Sequence, residues 1–447
     1  MPILKTAAVE ENHKGLVELG LLSLVVGAVS GLIGVMFRRS LEQADRFRTL
    51  FLAWAHAQSF TGFCIVVVAT AASTALAVWL ARRFAPHASG SGIPHVEAVL
   101  RAEQPPASLI LIPVKFVGGV LAIGCGLALG REGPTVQMSA SVAHAIGSLF
   151  RRNADDCRAL LAAGAGAGLA AAFNAPIAGA VFVLEELTRR FETRTAIAAL
   201  GACAGAIGVA RIIHGDLPDF HVKAQSFSAF GTAAAYLTLG ALVGLLGVAY
   251  NQAILSAIAV SDRLSSGAVK AWPILVGAGV GLLAWTAPDL AGGGDALTQR
   301  ALEGTGSLST IALVFAVRFG FGAVSYSTGA PGGLFAPMLV LGAQAGLAFG
   351  KICVHWLPGV AADPIAFAVV AMAALFTAIV RAPITGIVLV TEMTGSFTLL
   401  LPMLTACFAA MIVPTVLHCP PIYDSLRDRT PRRENARRIE RGRSRIR

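Results

Sequence analysis

The chain has 447 residues, of which 55% are hydrophobic and only 13% are charged, and its formal net charge is +10. A soluble domain carries about 25% charged residues, so this composition excludes an ordinary soluble protein. The apolar segments show no two-residue alternation, which excludes a transmembrane β-barrel. We therefore predict an all-α, polytopic membrane protein with about a dozen to sixteen apolar segments of uneven length.

The first residues of the chain do not resemble a signal peptide. Residues 1–15 are polar and lack a cleavage pattern, and we expect them to be a cytoplasmic N-terminal segment. Six later segments are long enough, or nearly so, to cross a hydrocarbon core of roughly 30 Å. They are Leu19–Phe37, Thr61–Ala81, Leu109–Leu129, Ala196–Ala210, Thr232–Ser256 and Ile311–Tyr326. Pro176–Leu187 and Pro383–Val390 are too short to span, which indicates partly spanning helices.

Three glycine-rich breaks interrupt the apolar segments. The first, Gly90–Pro94, has Ser91 in a cap region and Pro94 in what reads as a first helical turn. The others are Gly130–Pro134 and Gly332–Pro337. Each break can leave free backbone N–H groups and the positive end of a helix inside the membrane, where an anion is favoured. One such break is usually a helix-packing feature, but three together predict an anion site.

The second break contains Glu132 beside Arg131. A charge at bilayer depth costs roughly 2.5–3.5 kcal/mol even on the most lenient scale. Chains keep such groups mainly where they line a polar path, so Glu132 predicts a transport site. A structural ion pair of the two is the weaker alternative, because adjacent residues on a helix do not face each other. Tyr423, late in the chain, supplies one more neutral hydroxyl donor.

Two stretches of the chain match at a fixed offset. Asn174–Gly179 precedes Glu185 as Arg381–Gly386 precedes Glu392, and each position of the second stretch lies 207 positions after its counterpart. Gly333 follows Gly130 by 203 positions and forms a looser pair with it. Repeats with short, Gly/Pro-interrupted segments at matching positions indicate a binding site at their interface. The sequence leaves open whether the two halves run parallel or inverted.

The duplication divides the chain into five predicted parts. They are the N-terminal segment (1–15), a first membrane repeat (16–215), a linker (216–229), a second membrane repeat (230–424) and an arginine-rich tail (425–447). Such a tail can be a nucleic-acid-binding arm, but the positive-inside bias favours a cytoplasmic tail with no nucleic acid partner. The seven Cys are scattered without a CxxC motif, so we predict neither a zinc site nor a disulfide framework. No other metal and no cofactor are expected.

Taken together, these motifs resemble the CLC family of chloride channels and proton–chloride antiporters. The resemblance rests on GSGIP (90–94), KFVGG (115–119), GREGP (130–134), FNAPIAGAVFVLEEL (173–187), GxFxP (333–337), VRAPITGIVLVTEM (380–393) and Tyr423. It covers the chain from about residue 20 to Tyr423. It implies two inverted repeats of many tilted helices, and a homodimer in which each subunit has its own pore for chloride.

The resemblance also implies a role for each matching residue. Anions would be held by the side chains of Ser91 and Tyr423 and by the backbone N–H groups of Leu334 and Phe335. The inner approach would be lined by Gly90 and Gly92, and the outer approach by Arg131, Gly133 and Ala336. Glu132 falls on the gating glutamate, whose ionised carboxylate excludes chloride from an anion site and whose protonated form leaves that site with a proton.

Glu186 falls on the inner proton acceptor of the family's antiporters, which its channels generally lack. Glu97, Lys115 and Glu185 match charged positions near the proton entrance, where a structural role is an equal alternative, and Glu392 is expected to be structural. These matches favour a proton-coupled chloride antiporter. A passive voltage- or pH-gated chloride channel that merely retains Glu186 is the alternative.

Other transporter classes and enzymes are disfavoured. A cation-coupled transporter needs several carboxylates at its site, whereas only one Glu lies among the three breaks. The chain has no GxSxG, HExxH or GxxxxGK[ST] motif, so an enzyme is not predicted. Ser91 suits chloride, since family members that prefer nitrate tend to carry Pro there. Only 24 residues follow Tyr423, as in bacterial members without nucleotide-binding regulatory modules, which implies a location in the inner (plasma) membrane.

Overall fold

The computed structural model describes residues 2–222, 232–356 and 363–429, with the backbone alone at 2–12 and 266. The first half folds into α1 (Pro2–His56), α2 (Ser59–Phe84), α3 (Ile93–Leu100), α4 (Leu111–Gly124), α5 (Glu132–Leu149), α6 (Ala154–Phe173), α7 (Pro176–Phe182) and α8 (Thr193–His214). The second half folds into α9 (Ala233–Arg263), α10 (Ser266–Thr286), α11 (Asp295–Leu302), α12 (Leu308–Ser327), α13 (Phe335–Trp356), α14 (Pro364–Val380), α15 (Pro383–Thr394) and α16 (Leu400–Val416). The chain is helical again over 422–429.

The prediction of an all-α, polytopic membrane protein is confirmed. Within the described ranges, α1, α2, α6, α8, α9, α10, α12, α13 and α16 are long and apolar enough to span a membrane. The predicted span Leu109–Leu129 is wrong in its length. There α4 has only 14 residues. Gly126, with φ of +119°, lies in the turn that directly follows the helix. The predicted linker is described only up to residue 222, and the predicted tail only up to residue 429.

The two halves repeat the same series of elements. A 3₁₀ turn that begins with Pro86 precedes α3, and one that begins with Pro288 precedes α11. Each of these eight-residue helices follows a glycine in the left-handed region, Gly92 with φ of +87° and Gly294 with φ of +100°. Only glycine adopts that conformation without strain. The repeat therefore extends to places where the sequences of the two halves no longer match.

Small residues set the distances between the long helices. A Cβ added at Gly27 of α1 would lie 2.0 Å from the carbonyl oxygen of Ala202 in α8. In the second half, a Cβ at Gly240 of α9 would lie 2.2 Å from the carbonyl oxygen of Ala406 in α16. Small residues spaced along a helix let membrane helices approach closely and gain van der Waals contact. The first and the last helix of each repeat therefore pack together in the same way.

Contacts between the halves are reciprocal. Gly130 donates its backbone N–H to the carbonyl of Gly333 at 2.9 Å, and Gly333 donates to the carbonyl of Gly130 at 2.7 Å. This antiparallel bridge is the only β-type pairing in the described part of the chain, and it joins the two glycines that the sequence pairs at an offset of 203. A contact in which equivalent residues bind each other is the mark of a two-fold relation. The halves are inverted repeats.

The same relation holds at the short helices that begin with proline. Glu185 of the first half accepts hydrogen bonds from the N–H groups of Ile384 and Thr385, at 2.9 and 2.6 Å, at the start of α15. Glu392 of the second half accepts from Ile177 and Ala178, at 3.1 and 2.8 Å, at the start of α7. A helix N-terminus has unpaired N–H groups and a positive field, so a carboxylate stabilises it. Each half caps a helix of the other.

We expect Gly346→Ala to destabilise the protein, because α13 packs directly on α14 at this position. The added Cβ would lie 2.2 Å from the carbonyl oxygen of Phe367 and 2.7 Å from the Cα of Ala368, and backbone atoms cannot move aside singly. Overpacking of this kind costs about 1–3 kcal/mol, which will lower the thermal midpoint measured in detergent. The control is Gly279→Ala in α10, where nothing lies within 4 Å of the new Cβ. Equal midpoints for both variants would contradict this account of the packing.

Candidate functional site

The carboxylate of Glu132 lies where the N-termini of α5 and α13 meet. Its Oε1 accepts a hydrogen bond of 2.6 Å from the backbone N–H of Phe335. The backbone N–H groups of Ala336 and of Glu132 itself lie near the carboxylate, but its Oε2 has no hydrogen-bond partner among the described residues. The side chain is fully buried. A main-chain donor of α13, beside the N-terminus of α5, therefore holds a buried carboxylate that has no ion-pair partner among the described residues, which is the arrangement that favours anion binding.

Glycines make the room for this carboxylate. A Cβ at Gly130 would lie 2.2 Å from Glu132 Oε2, and a Cβ at Gly333 would lie 2.3 Å from Glu132 Oε1. No real Cβ comes so close to an oxygen, so neither position accepts a side chain without expelling the carboxylate. The bridge between these two glycines also fixes the first turns of α5 and α13 relative to each other. The glycine-rich sequence of both breaks thus follows from a close approach of backbone to an anionic group.

Two buried hydroxyl groups lie beside the same helix ends. Neither Ser91 Oγ nor Tyr423 Oη has a hydrogen-bond partner among the described residues. Ser91 packs on α5, since a Cβ at Gly133 would lie 2.5 Å from its Oγ. The ring of Tyr423 is 6.0 Å from that of Phe335 at the start of α13. Buried hydroxyls are rarely left without a partner, and these two are free to donate to an anion placed between them.

The loop that carries Ser91 is held by buried polar contacts. Gly90 and Gly92 both have positive φ, at +66° and +87°. Lys115 is fully buried, and its Nζ donates to the carbonyls of Ala88 and Gly90 at 2.9 and 2.7 Å. The carbonyl of Gly90 also accepts from the N–H of Gly332 in the third break, at 3.1 Å. Lys115 therefore fixes the loop, and these contacts tie the first break to the third.

Arg131 forms ion pairs with acidic residues. Its guanidinium contacts Asp219 at 2.9 Å and Asp295 at 3.2 Å, and its Nε donates to the carbonyl of Ala172 at 2.9 Å. Asp219 in turn contacts Arg38 at 2.7 Å. A paired guanidinium attracts an anion less strongly than a free one, so these contacts moderate its field at the site. The position of Arg131 in the outer approach stays a prediction.

Glu185 and Glu186 point to different partners, although they are adjacent. They lie in a π-helical turn, Val183–Leu187, and such wide turns often occur at functional sites. Glu185 caps α15, and no described contact supports its predicted place at the proton entrance. Glu186 is buried and interacts with the carboxyl group of Glu97, while Arg189 lies 3.5 Å from its Oε1. Two carboxyl groups that interact under burial disfavour each other's charge, so one of the pair is suited to hold a proton.

An aromatic cluster surrounds Phe335. Its ring centroid lies 4.7 Å from that of Phe376, 5.9 Å from Phe182 and 6.3 Å from Phe173. All four rings are buried. This apolar packing excludes water around the start of α13 and strengthens the electrostatic interaction between the helix end and an anion.

Several residues of the site lie outside every motif recognised in the sequence. The hydroxyl of Tyr326 accepts from the N–H of Ser91 at 3.3 Å, and Gln137 fills the space in front of Gly92, where a Cβ would lie 2.2 Å from its Oε1. Asp424 and Arg427 join Glu97 at the inner carboxyl pair. Asp424 directly follows Tyr423 in the sequence, and that adjacency was the one available signal. Tyr326 and Gln137 gave none.

Comparisons with known proteins agree with this arrangement. A family model described as voltage gated chloride channel matches residues 73–415. Proteins named H(+)/Cl(-) exchange transporter ClcA from Salmonella arizonae and Citrobacter koseri are 36% and 37% identical over 423 residues, covering 93% of this chain and 89% of each relative. The crystal structure of a slow cyanobacterial Cl-/H+ antiporter superposes with a TM-score of 0.90 at 32% identity, covering 93% of this chain and 99% of the other. A CLC-type fluoride/proton antiporter shares the fold, with a TM-score of 0.74 at 21% identity over 89% of this chain and 95% of the other.

We expect Glu132→Ala to expose the donors of α5 and α13 to an external anion. Crystals of this variant grown in bromide should show an anomalous scattering peak within hydrogen-bonding distance of the N–H of Phe335, where the wild-type carboxylate lies. Wild-type crystals in the same bromide are the control and should lack a peak at that position. A variant that shows no bromide there would contradict the assignment of these helix ends as an anion site.

Proposed function

This chain belongs to the CLC family of voltage-gated chloride channels and related transporters, and on that premise we propose that it exchanges chloride for protons across the inner membrane, where it is a multi-pass protein. The observation that carries the proposal is the position of the Glu132 carboxylate on the N–H of Phe335. A group that titrates and an anion that is transported would use the same donors. Binding of one therefore depends on the state of the other.

The anion step follows from the donors. Chloride would be held by the backbone N–H groups of Leu334 and Phe335 and by the hydroxyls of Ser91 and Tyr423, with Gly90, Gly92, Gly133 and Ala336 lining the approaches. All of these donors are neutral. Binding must be strong enough for entry and weak enough for release, and neutral donors meet both demands better than a Lys or Arg clamp. Ionised Glu132 would compete for this site, and protonated Glu132 would leave it.

The proton step needs an entrance separate from that of the anion. Glu186 and Glu97 form a buried carboxyl pair in the first repeat, which also contains Lys115 and the Ser91 loop that it holds. We assign Glu186 as the inner proton acceptor and Glu97 as its partner, and Lys115 as the residue that keeps the loop in place. A proton taken up by Glu186 and passed to Glu132 would free the anion donors, so each proton movement would be tied to an anion movement.

A passive chloride channel is the second candidate, because the matching family model describes chloride channels. A channel and an exchanger differ in their reversal potential. In a channel the potential follows the chloride gradient alone, whereas in an exchanger it shifts with a pH gradient as well.

We further propose that two copies of the chain form a homodimer with one pore in each subunit. The apolar side chains that α16 leaves exposed, such as Leu404 and Phe408, are available for that contact or for lipid.

We expect Glu186→Gln to abolish proton movement and to retain chloride flux, because the neutral amide fills the same space but cannot accept a proton. The measurement is external pH during a chloride gradient imposed on reconstituted liposomes, with chloride efflux recorded in parallel. Glu192→Gln, at a nearby exposed position, is the control and should behave as the wild type. Proton uptake by the Glu186→Gln protein at the wild-type rate would contradict the assignment.

We expect Glu132→Ala to make chloride flux independent of pH, because the group that competes with the anion is gone. The same liposomes measured over a series of symmetric pH values test this. The wild-type flux should rise as pH falls, since protonation removes Glu132 from the shared donors, and the variant should give a flat profile. A variant that keeps the wild-type pH dependence would show that another group controls the anion site.

A further inference from the structure

The last described helix, over 422–429, joins the anion site to the inner carboxyl pair. Tyr423 places its hydroxyl group at the anion site. The next residue, Asp424, and Arg427 one turn later lie among the acidic groups around Glu186. The helix therefore runs across the predicted boundary between the second repeat and the arginine-rich tail, and its first turns belong to the site.

Asp424 is the centre of a network of ion pairs. Its carboxylate contacts Arg427 at 2.8 Å, Arg189 at 3.1 Å and Arg101 at 3.8 Å. Only 19% of its side chain is exposed. These three arginines come from three separate places in the chain: the end of α3, the turn after Glu186 and the final helix. Among the described acidic residues, Asp424 is the one that contacts all three.

Two of these arginines also contact the inner carboxyl pair. Arg427 lies 3.2 Å from Glu97 Oε2, and Arg189 lies 3.5 Å from Glu186 Oε1. Neither Glu97 Oε1 nor Glu186 Oε1 has a hydrogen-bond partner among the described residues, although both side chains are almost completely buried. Each guanidinium is thus shared between a glutamate and Asp424. Oε1 of Glu97 has no hydrogen-bond or ion-pair partner among the described residues, and Oε1 of Glu186 has only the long ion-pair contact with Arg189, so both oxygens remain able to take a proton.

The backbone at Arg189 supports a side-chain role. Its φ is +52°, in the left-handed region that a long side chain rarely adopts. Such a conformation persists only when its surroundings fix it, and it is frequent at functional sites. Glycine would relieve the strain, but glycine could not bridge Glu186 and Asp424.

We propose that Asp424 is a positioning residue that holds Arg189 and Arg427 back from full pairing with Glu186 and Glu97, and so sets the pH range in which the inner carboxyl pair takes up protons. The proposal rests on the proposed proton–chloride exchange. A carboxylate fully engaged by a guanidinium gives up its charge reluctantly. By competing for both guanidiniums, Asp424 keeps the pair available for protonation.

The sign of the effect follows from the charges that face the pair. Glu186 faces Glu97 from α3, Arg189 from the following turn, and Asp424 and the hydroxyl of Tyr423 from the final helix. Glu97 further faces Arg101 and Arg427. Arg427 also contacts Glu103 at 3.6 Å and Asp428 at 3.4 Å, but both of these carboxylates are exposed and screened by solvent. Apart from these two, three carboxyl groups meet three guanidiniums. If Asp424 loses its charge, the cluster is already positive before a proton arrives, and proton uptake becomes less favourable.

We therefore expect Asp424→Asn to shift chloride-driven proton uptake to lower pH. The measurement is the initial rate of proton uptake by reconstituted liposomes over a series of symmetric pH values, together with the chloride concentration for half-maximal flux. The pH of half-maximal uptake should fall by roughly one unit, the low end of shifts caused by a neighbouring charge. The chloride concentration dependence should stay that of the wild type, and Asp424→Glu should restore the wild-type profile.

The matched control is Asp428→Asn on the same helix. Asp428 contacts the same Arg427, at 3.4 Å, but 69% of its side chain is exposed, so solvent screens its charge. Its profile should overlay that of the wild type. An Asp424→Asn profile that overlays the wild type, or an equal shift in Asp428→Asn, would overturn the inference. A purely structural role would lower the rate equally at every pH, which would also overturn it.

The wild type separates this inference from the proposed function. If the wild type takes up no protons on a chloride gradient, the exchange itself is wrong, and the role of Asp424 in proton uptake is refuted with it. If the wild type exchanges and Asp424→Asn leaves the pH profile unmoved, the exchange stands and only the role of Asp424 is refuted.

Discussion

The structure depends on one physical constraint. Backbone N–H groups at a buried helix N-terminus need an anionic partner, and here no cation among the described residues lies in direct contact with that partner. At the start of α13 that partner is the carboxylate of Glu132. The glycines on either side, the unpartnered hydroxyls of Ser91 and Tyr423 and the aromatic rings around Phe335 all follow from it. Together they form a dry, close-fitting site for one negative charge, and the function proposed here is a competition for that site.

The two-fold relation between the halves explains why such a site exists. The glycine-rich breaks of the two repeats face each other across the bridge between Gly130 and Gly333. The positive ends of α5 and α13 therefore converge. At the first residue of these two helices the symmetry is broken. Only the first half has a glutamate at the start of its helix, since Glu132 corresponds to Phe335 in the second half. One repeat supplies the competing group, and the other supplies the donor for which it competes.

Much of this could be predicted from the sequence, because the signals are local. The Gly/Pro breaks, the charge of Glu132 in an apolar segment and the duplication are each visible within a few residues. What escaped prediction are pairings over long separations. Glu185 and Glu186 are adjacent and both are predicted near the proton entrance, but in the π-helical turn Glu185 caps α15 whereas Glu186 interacts with Glu97. Arg427 belongs by composition to a basic tail, but it lies beside Glu97, 330 residues earlier. No local pattern encodes either contact.

The reciprocal caps have a consequence for how the chain is made. The N–H groups at the start of α7 find their acceptor in Glu392, which the ribosome adds more than two hundred residues later. Until then the short helix has an uncapped positive end that lipid cannot solvate. The first half must therefore wait beside water or beside the insertion machinery, and final burial of both proline-initiated helices becomes a single late event in biogenesis, when the two halves close on each other.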